Sequence, residues 1–178
     1  GTLDLGEHQG VDCIRARDGL VYAAAYDGAA LKKRRSDLVR TDGGHTEVVL
    51  TVDGELTGFA FDGSGDLWLS ILTPGGGSLC RAAHDSWGTA VEQVVTQIDG
   101  APRGAVSAVE AAPDGRIYFA VAAAAGAADG LESTLRTELL AHTGTGCVYV
   151  YDPAARSVRK VLGGVAGAAG LALSPDGS

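Results

Sequence analysis

Val106-Ser107-Ala108-Val109-Glu110-Ala111 leads through Asp114-Gly115 into Ile117-Tyr118-Phe119. Apolar side chains alternate on both sides of this turn, a pattern typical of two antiparallel strands joined as a hairpin. The same order of alternation, Asp/Gly turn and second alternation occurs at three other places in the chain. These copies begin with residues 11–16, 57–61 and 170–173.

The spacing of these hairpins indicates their higher-order arrangement. The turn glycines are Gly19, Gly65, Gly115 and Gly177, so the intervals between them are 46, 50 and 62 residues. Repeats of about 40–50 residues with hairpins inside each unit are the signature of a β-propeller. The sequence therefore predicts an all-β fold of four-stranded antiparallel blades, and ligands are expected at the central channel.

The repeats divide the chain into about three blades and the start of a fourth. The predicted boundaries are 6–53, 54–100, 101–165 with an insertion at 122–145, and 166–178. The predicted strands are 11–16, 20–25, 29–34 and 46–52; then 58–61, 67–72, 78–82 and 90–97; then 107–111, 116–121, 146–151 and 157–162. Because propellers close with about four to eight blades, we expect the chain to be a segment of a larger propeller. The remainder of the propeller, or a second copy, is then expected to cover its open faces.

The insertion at 122–145 carries a different pattern from the strands around it. Residues 133–140 are good helix formers with helix-like apolar spacing. We expect a short helix that covers one mouth of the channel, with Leu135, Leu139 and Leu140 towards the blades and Arg136 towards solvent.

Composition limits the possible partners. The formal net charge is −8, which argues against nucleic acid because its binding needs clustered Lys and Arg. The basic run Lys32-Lys33-Arg34-Arg35 lies near Asp27 and Asp37, as in a solvated outer strand or turn. No apolar stretch reaches the roughly 18 residues of a membrane span.

Motifs for other chemistries are missing or incomplete. No glycine-rich phosphate loop, dinucleotide fingerprint or serine-hydrolase elbow occurs in the sequence. Asp62-Gly63-Ser64-Gly65-Asp66 resembles the start of a calcium loop, but its spacing indicates a hairpin turn. Cys13, Cys80 and Cys147 are an odd set without metal-ligand spacing, so buried thiols are expected.

A more specific resemblance appears in the third repeat and after it. The segments Pro113-Asp114-Gly115-Arg116-Ile117-Tyr118-Phe119, Tyr151-Asp152-Pro153, Val161-Leu162 and Gly170-Leu171-Ala172-Leu173-Ser174-Pro175-Asp176 occur in this order. Their order and spacing, including the long insertion, resemble the strictosidine synthase-like family. This resemblance implies a propeller of six blades when complete. It also implies kinship with gluconolactonase and senescence-marker-protein-like hydrolases and with paraoxonases.

Relatives that depend on a metal suggest where a channel site would lie. In those proteins a glutamate on the first inner strand and asparagines on later ones hold calcium, and the glutamate aligns with Asp12. The later positions fall near Ser107 or Ala108 and on Ala169. Because calcium needs six to eight oxygen ligands, the missing donors weaken a calcium site here. The residues that act in strictosidine synthase-like catalysis have no counterpart in this segment.

We expect Asp12, His8, Ser107 and Ala169 to line the channel, with Asp12 as the metal ligand if one binds. Glu110 is expected to alternate to another face and to meet a neighbouring blade. Three functions remain open, all acting on a small molecule or partner in the channel. They are amine–aldehyde condensation as in strictosidine synthase-like lyases, calcium-dependent lactone or ester hydrolysis, and non-catalytic binding.

Overall fold

The computed structural model of the chain consists mainly of antiparallel β-sheet. The described residues are 5, 8–27, 35–98, 101–102, 104–124 and 130–174, without the side chains of residues 101 and 102. Within them the strands form three four-stranded sheets in simple sequential order and one two-stranded ribbon. The three sheets form part of a β-propeller, as the repeats predicted.

The first sheet is formed by the N-terminal third of the chain. Its strands are β1 (Gly10–Arg17), β2 (Leu20–Tyr26), β3 (Arg35–Thr41) and β4 (Thr46–Asp53). The third strand was predicted at 29–34, and residues 28–34 lie outside the described residues. The strand that pairs with β2 is instead β3, because Leu38 and Val39 bury completely against the sheet.

The second sheet follows directly after Gly54. Its strands are β5 (Glu55–Phe61), β6 (Leu67–Thr73), β7 (Gly76–Ala82) and β8 (Glu92–Val95). Gly54 has a φ of 132°, and a Cβ there would lie 2.8 Å from the Leu72 carbonyl oxygen. Only glycine therefore allows the chain to pass from the outer edge of one sheet to the inner edge of the next.

The third sheet matches the predicted strands most closely. A short ribbon of β9 (Gln97–Ile98) and β10 (Ala101–Pro102) precedes it. Its strands are β11 (Val106–Ala111), β12 (Ile117–Val121), β13 (Gly146–Asp152) and β14 (Ser157–Val165). The first strands of the sheets contact one another, β1 with β5 and β5 with β11, so they are the innermost strands.

Two hydrophobic clusters hold neighbouring sheets together. The first lies between the first and second sheets and includes Leu38, Leu56 and Phe59. The second lies between the second and third sheets and includes Trp68 and Val109. Because these side chains are almost fully buried, the sheets stack through apolar contacts and contribute most of the stability by burial.

The predicted helix in the insertion is confirmed as α1 (Leu131–Ala141). The Glu55 carboxylate of β5 accepts a 3.1 Å hydrogen bond from the Leu131 amide, so a neighbouring sheet supplies the cap at the helix N-terminus. Leu131 and Leu135 pack against Leu72, Ala105 and Ala122. In the described part of the chain, no helix has the length and apolar character needed to cross a membrane.

The predicted orientation of α1 is only partly correct. Arg136 is exposed as expected, but Leu139 and Leu140 are also exposed, at 52% and 74%. The buried positions are Thr134 and Glu138 instead. The Glu138 carboxylate accepts hydrogen bonds from Thr143 and Thr145 in the return loop, and this polar anchor turns the helix away from the orientation that its leucines predicted.

Residues 170–173 were predicted to begin a fourth inner strand. They are described but have no regular strand hydrogen bonding, and residues 175–178 lie outside the described residues. A strand is defined by its hydrogen-bonded neighbour, and no such neighbour for this stretch lies in the described part. The segment before it, at Ala168, does return to the inner strand β11.

Candidate functional site

Each innermost strand carries a β-bulge at the same place. The register shifts lie between Val11 and Cys13, between Leu56 and Gly58, and between Val106 and Ala108. The extra residues are therefore Asp12, Thr57 and Ser107. A bulge turns the side chain of its extra residue out of the regular alternation, and such positions are common beside functional sites.

Two of the three bulge side chains bond to backbone outside their own sheet. The Thr57 hydroxyl donates a 3.0 Å hydrogen bond to the carbonyl oxygen of Val106, the residue before the next bulge. The Ser107 hydroxyl donates in the same way to the carbonyl oxygen of Ala168. Asp12 is exposed, and an ionised carboxylate has no proton to donate to a carbonyl. The first bulge thus differs chemically from the other two.

Thr57 is a residue of this set that the sequence prediction did not include. Its equivalence to the other two is visible in the strand register, where Val11, Leu56 and Val106 lie just before the three bulges. The prediction relied on positions that carry ligands in metal-dependent relatives, and threonine was not among those ligands.

The other predicted site residues lie in different surroundings. Ala169 is exposed and follows the carbonyl that Ser107 contacts. His8 is turned towards β3, with 2.8 Å from Nδ1 to the Leu5 carbonyl oxygen and 3.1 Å from Nε2 to the Asp37 carboxylate. Because both ring nitrogens are engaged, His8 has no hydrogen-bonding atom left for a ligand at Asp12 or Ser107. The structure joins Ser107 to the Ala168–Ala169 turn and leaves His8 in a separate cluster.

The His8 and Asp37 side chains influence each other's protonation. Burial alone would lower the pKa of His8, but its hydrogen bonds to Asp37 and the Leu5 carbonyl raise it above the ordinary value. Burial likewise opposes ionisation of Asp37, whereas hydrogen bonds from Thr51 and His8 hold its pKa below the usual range. This pair stabilises the fold as an ion pair and links the N-terminal segment to the first sheet.

The described residues do not by themselves make up a calcium site at the bulges. Among the described residues, no three His, Cys, Asp or Glu side chains are grouped in a way that could hold a metal ion. The bulge hydroxyls already donate to carbonyl oxygens, and Ala169 offers only a methyl group. One carboxylate at Asp12 falls far short of the six to eight oxygens that calcium requires.

An ion pair between inner strands lies further along them. Register places Arg15, Ala60 and Glu110 at equivalent positions of β1, β5 and β11. The Arg15 guanidinium pairs with the Glu110 carboxylate, and its Nε lies 3.4 Å from the Phe59 carbonyl oxygen. The methyl side chain of Ala60 leaves room for this ion pair to pass from the first to the third inner strand.

The prediction for Glu110 is therefore wrong. It was expected to meet a neighbouring blade, but it reaches the first sheet across the intervening inner strand. The bulge at Ser107 explains the error, because one extra residue reverses the alternation of every side chain that follows it.

This ion pair lines an open cavity of about 410 Å³, which we call the inner-strand cavity. It is lined by Arg15, Ala16, Arg17, Ala60, Phe61, Asp62, Gly63 and Glu110. It lies at the end of the inner strands that carries the hairpin turns, which we call the turn face, opposite the end where α1 packs.

The Glu110 carboxyl is a weaker acid than usual. Burial raises its pKa, and the nearby charge of Arg15 and its hydrogen bond only partly oppose this. The Glu110 side chain is 18% exposed, so it remains accessible from the inner-strand cavity. Such a carboxyl can take up a proton when its cationic partner is drawn away.

Arg17 adds a second cation to the wall of the cavity. Its guanidinium carbon lies 4.7 Å from the centre of the Phe61 ring, and its Nε donates to the Asp18 carboxylate over 3.2 Å. The Nη1 atom is buried and has no hydrogen-bond partner among the described residues. A buried donor without an acceptor lowers the stability of this part of the fold.

The thiols take no part in this site. Cys80 and Cys147 are buried, and Cys13 is half-buried. Burial raises the pKa of the Cys13 thiol, which disfavours the reactive thiolate. The expectation of inert, buried thiols agrees with these positions.

Comparison with known proteins supports the fold and leaves the family open. No protein-family model and no curated protein matches the sequence. Similar solved structures include a nidogen/laminin complex, with 12% identity over 86% of this chain and 48% of that one, at a TM-score of 0.56. Regucalcin from Agrobacterium tumefaciens is a calcium-binding protein with 12% identity over 80% of this chain and 41% of its own, at a TM-score of 0.53.

A gluconolactonase from Xanthomonas campestris is also similar. It has 17% identity over 81% of this chain and 51% of its own, at a TM-score of 0.52. The chain thus spans about half the length of the solved structures that it matches. At these identities the likeness shows the β-propeller fold alone, and it does not single out the strictosidine synthase-like family.

Proposed function

We propose that the chain contributes to a propeller that binds a small organic anion in the inner-strand cavity. The observation that carries the proposal is the Arg15–Glu110 pair, formed between equivalent positions of the first and third inner strands at the cavity wall. A charged pair at the centre of a ring of blades is a natural contact for a polar ligand. Arg17, which also lines the cavity, supplies a second cation for the same ligand.

The binding chemistry follows from the two partners of Arg15. An incoming carboxylate would replace the Glu110 carboxylate on the guanidinium, because both offer the same pair of oxygen acceptors. Glu110 would then be half-buried without its cation, and its already raised pKa would rise further. Anion binding is therefore coupled to proton uptake by Glu110 and is expected to weaken as the pH rises.

Gluconate is a suitable probe, because it is a small polyhydroxy carboxylate and the similar structures include a gluconolactonase. Calorimetric titration of gluconate into the chain is expected to show binding that Arg15→Gln weakens by about tenfold. The matched control is Arg40→Gln, which removes an arginine paired with Glu47 at the exposed side of the first sheet. Equal weakening by both variants, or no binding to the unmodified chain, would overturn the proposal.

Lactone or ester hydrolysis of the gluconolactonase or paraoxonase type is a second candidate. Two observations favour it: the likeness to a gluconolactonase, and the carboxylate of Asp12 on the first bulge. A direct test is hydrolysis of gluconolactone by the chain with and without calcium. Calcium-dependent turnover lost in Asp12→Asn supports this candidate, and turnover unaffected by the substitution counts against a role for Asp12.

Amine–aldehyde condensation is a third candidate function. It is supported by the resemblance of the sequence to the strictosidine synthase-like family and by the Glu110 side chain. Glu110 is a half-buried carboxyl with a raised pKa, the type of group that moves protons in such a reaction. An aromatic amine incubated with an aldehyde should then give a condensation product that Glu110→Gln no longer forms. Gluconate binding without consumption of gluconolactone or of the amine and aldehyde would favour a non-catalytic binding propeller.

A further inference from the structure

Two arginines of the same strand line the inner-strand cavity. Arg15 and Arg17 are two residues apart on β1, after the bulge at Asp12, so their side chains leave the same face of the strand. Strand geometry separates such positions by about 6.6 Å. The proposed function assigns a ligand carboxylate to Arg15, which leaves Arg17 as a second cation one strand period away.

The Arg17 guanidinium is held against the second sheet. Its Cζ atom lies 4.7 Å from the centre of the Phe61 ring, a cation–π contact between β1 and β5. Gly65, in the turn between β5 and β6, has a φ of 89°, and a Cβ there would lie 3.3 Å from Arg17 Nη2. The glycine of this turn therefore leaves the space in which the guanidinium lies. Both contacts keep Arg17 beside the cavity without neutralising its charge.

The carboxylate that pairs with Arg17 competes weakly with a ligand. Asp18 follows Arg17 in the turn after β1, and its side chain is 83% exposed. An ion pair that is open to solvent contributes little, because water already stabilises both charges. Asp18 also lies outside the cavity lining. A ligand carboxylate in the cavity therefore reaches this guanidinium without displacing a buried partner.

A second carboxylate in the cavity wall, Asp62, is engaged by its own turn. Its Oδ1 accepts hydrogen bonds from the Ser64 amide and hydroxyl and from the Asp66 amide, and its Oδ2 accepts one from Trp68 Nε1 over 2.9 Å. Burial opposes its ionisation, but the hydrogen bonds from Ser64 and Trp68 hold the pKa of Asp62 below the usual range. With donors on both oxygens, Asp62 is a poor ligand for a bound cation.

Proton uptake by Glu110 changes the charge balance of the wall. Among the described residues, the charged side chains that line the cavity are Arg15, Arg17, Asp62 and Glu110, which carry no net charge together when all are ionised. Once Glu110 is protonated, two guanidinium groups face a single carboxylate, the one held by its own turn. The cavity then favours an anion that carries a second negative group.

We infer that the inner-strand cavity binds a dicarboxylate, with one carboxylate on Arg15 and the other on Arg17. This inference rests on the proposed function, from which it takes the contact at Arg15. In an extended six-carbon diacid the two carboxyl groups are separated by about the two-residue period of a strand. The cavity volume of about 410 Å³ lies within the range of small-molecule sites. The ligand class is a linear dicarboxylate of about six carbons.

Glucarate, the six-carbon dicarboxylate that corresponds to gluconate, is the probe. Calorimetric titration is expected to show that it binds the chain about five- to tenfold more tightly than gluconate. Tartrate, a four-carbon polyhydroxy dicarboxylate, has the same two charges but holds them closer together than one strand period. Its affinity is expected to exceed that of gluconate by less than about twofold. Equal gains for tartrate and glucarate would contradict the assignment of the two carboxylates to Arg15 and Arg17.

Arg17→Gln separates this inference from the proposed function. The variant is expected to bind glucarate about five- to tenfold more weakly and gluconate less than about threefold more weakly. The retained gluconate binding also reports that the variant is folded. The matched control is Arg116→Gln, because Arg116 pairs with the nearby Asp114 in a turn of the third sheet, outside the inner-strand cavity. This control should leave both affinities unchanged.

The two possible failures give different results. Gluconate binding without a preference for glucarate, or a preference that survives Arg17→Gln, would overturn the dicarboxylate inference and leave the proposed function standing. Absence of binding by both ligands would overturn the proposed function and the inference together.

Discussion

At the interface between the first and second sheets Trp87 packs on Phe61 and Tyr22, whereas the interface between the second and third leaves a cleft of about 660 Å³ on the turn face. Both use the same strand order and register, and both bury an apolar cluster. The difference arises in the loops, because Trp87 comes from a long connection that the third sheet lacks. In repeated sheets the strands thus determine how units stack, and the connections determine which interfaces remain open to a ligand.

The substitution expected to lower the stability most lies at the apolar inner-strand position that faces the preceding sheet. Ile14, Phe59 and Val109 are equivalent in register, but Ile14 is 51% exposed while the other two are almost fully buried. Phe59→Ala should therefore lower the free energy of unfolding by about 3–5 kcal/mol through lost burial and a cavity. Chemical denaturation monitored by circular dichroism measures this change in the free energy of unfolding.

The equivalent substitutions at the other two sheets calibrate that result. Val109→Ala removes a smaller buried side chain and is expected to cost about 1–3 kcal/mol. Ile14→Ala, at an exposed position, should change stability by less than about 0.5 kcal/mol. If Ile14→Ala lowered the free energy of unfolding as much as Phe59→Ala, the face of the first sheet that carries Ile14 would have to be covered in solution.

Removing Trp87 should make the two interfaces alike. Trp87→Ala takes away a half-buried ring that contacts Phe61 and Tyr22, and an expected loss of about 2 kcal/mol is below that for full burial. Thermal unfolding measures this loss. An unchanged unfolding midpoint would show that Trp87 does not help to hold the first and second sheets together.

The hydroxyl groups at the inner-strand bulges should have a smaller effect. Thr57→Val keeps the side-chain shape but removes the hydroxyl that donates to the Val106 carbonyl, at an expected cost of about 1–2 kcal/mol. Ser107→Ala tests the equivalent link to Ala168. If these hydroxyls instead serve a ligand, denaturation midpoints of both variants should equal that of the unmodified chain.

The smallest expected effect is a pH dependence at the His8–Asp37 pair. Since the pKa of His8 is raised in the folded state, its stabilising contribution is present below the ordinary histidine pKa of about 6.5 and is lost as the pH rises through the raised value. The depressed pKa of Asp37 acts at the acid end, where stability is lost as the pH falls through it. Denaturation of the chain and of His8→Gln across this range should converge above the raised pKa. If the two curves of unfolding free energy against pH stayed parallel, a stabilising His8–Asp37 pair would be contradicted.

Much of the fold was predictable because its signals are local and repeated. The Asp/Gly turns and alternating strands fixed the hairpins, and helix-forming residues in the insertion indicated α1. The strand at Arg35–Thr41 was missed because residues 29–34 compete with it in apolar pattern. The rotation of α1 was missed because the buried carboxylate of Glu138 satisfies donors in the return loop, a tertiary effect that apolar spacing does not contain.

The candidate site was less predictable, since it depends on register. The Arg15–Glu110 pair joins residues that are 95 apart in sequence, and three bulges decide where these side chains point. Bulges leave no clear mark in the alternation of a six-residue strand, so Glu110 was assigned to the wrong neighbour. The roles of Asp12, His8, Ser107 and Ala169 in a channel, the number of blades, the cover over the open faces and the exclusion of nucleic acid stay predictions.

The exchange of partners at Arg15 is the central claim of this account, and proton uptake tests it most directly. Gluconate titrations near pH 6 in two buffers of different ionisation enthalpy give the number of protons bound with the ligand. Uptake of protons is expected with the unmodified chain. Glu110→Gln is expected to retain gluconate binding without that uptake, because an amide competes weakly for Arg15 and cannot take up the proton. The same proton uptake in Glu110→Gln, or gluconate binding that requires the Glu110 carboxylate, would contradict the exchange.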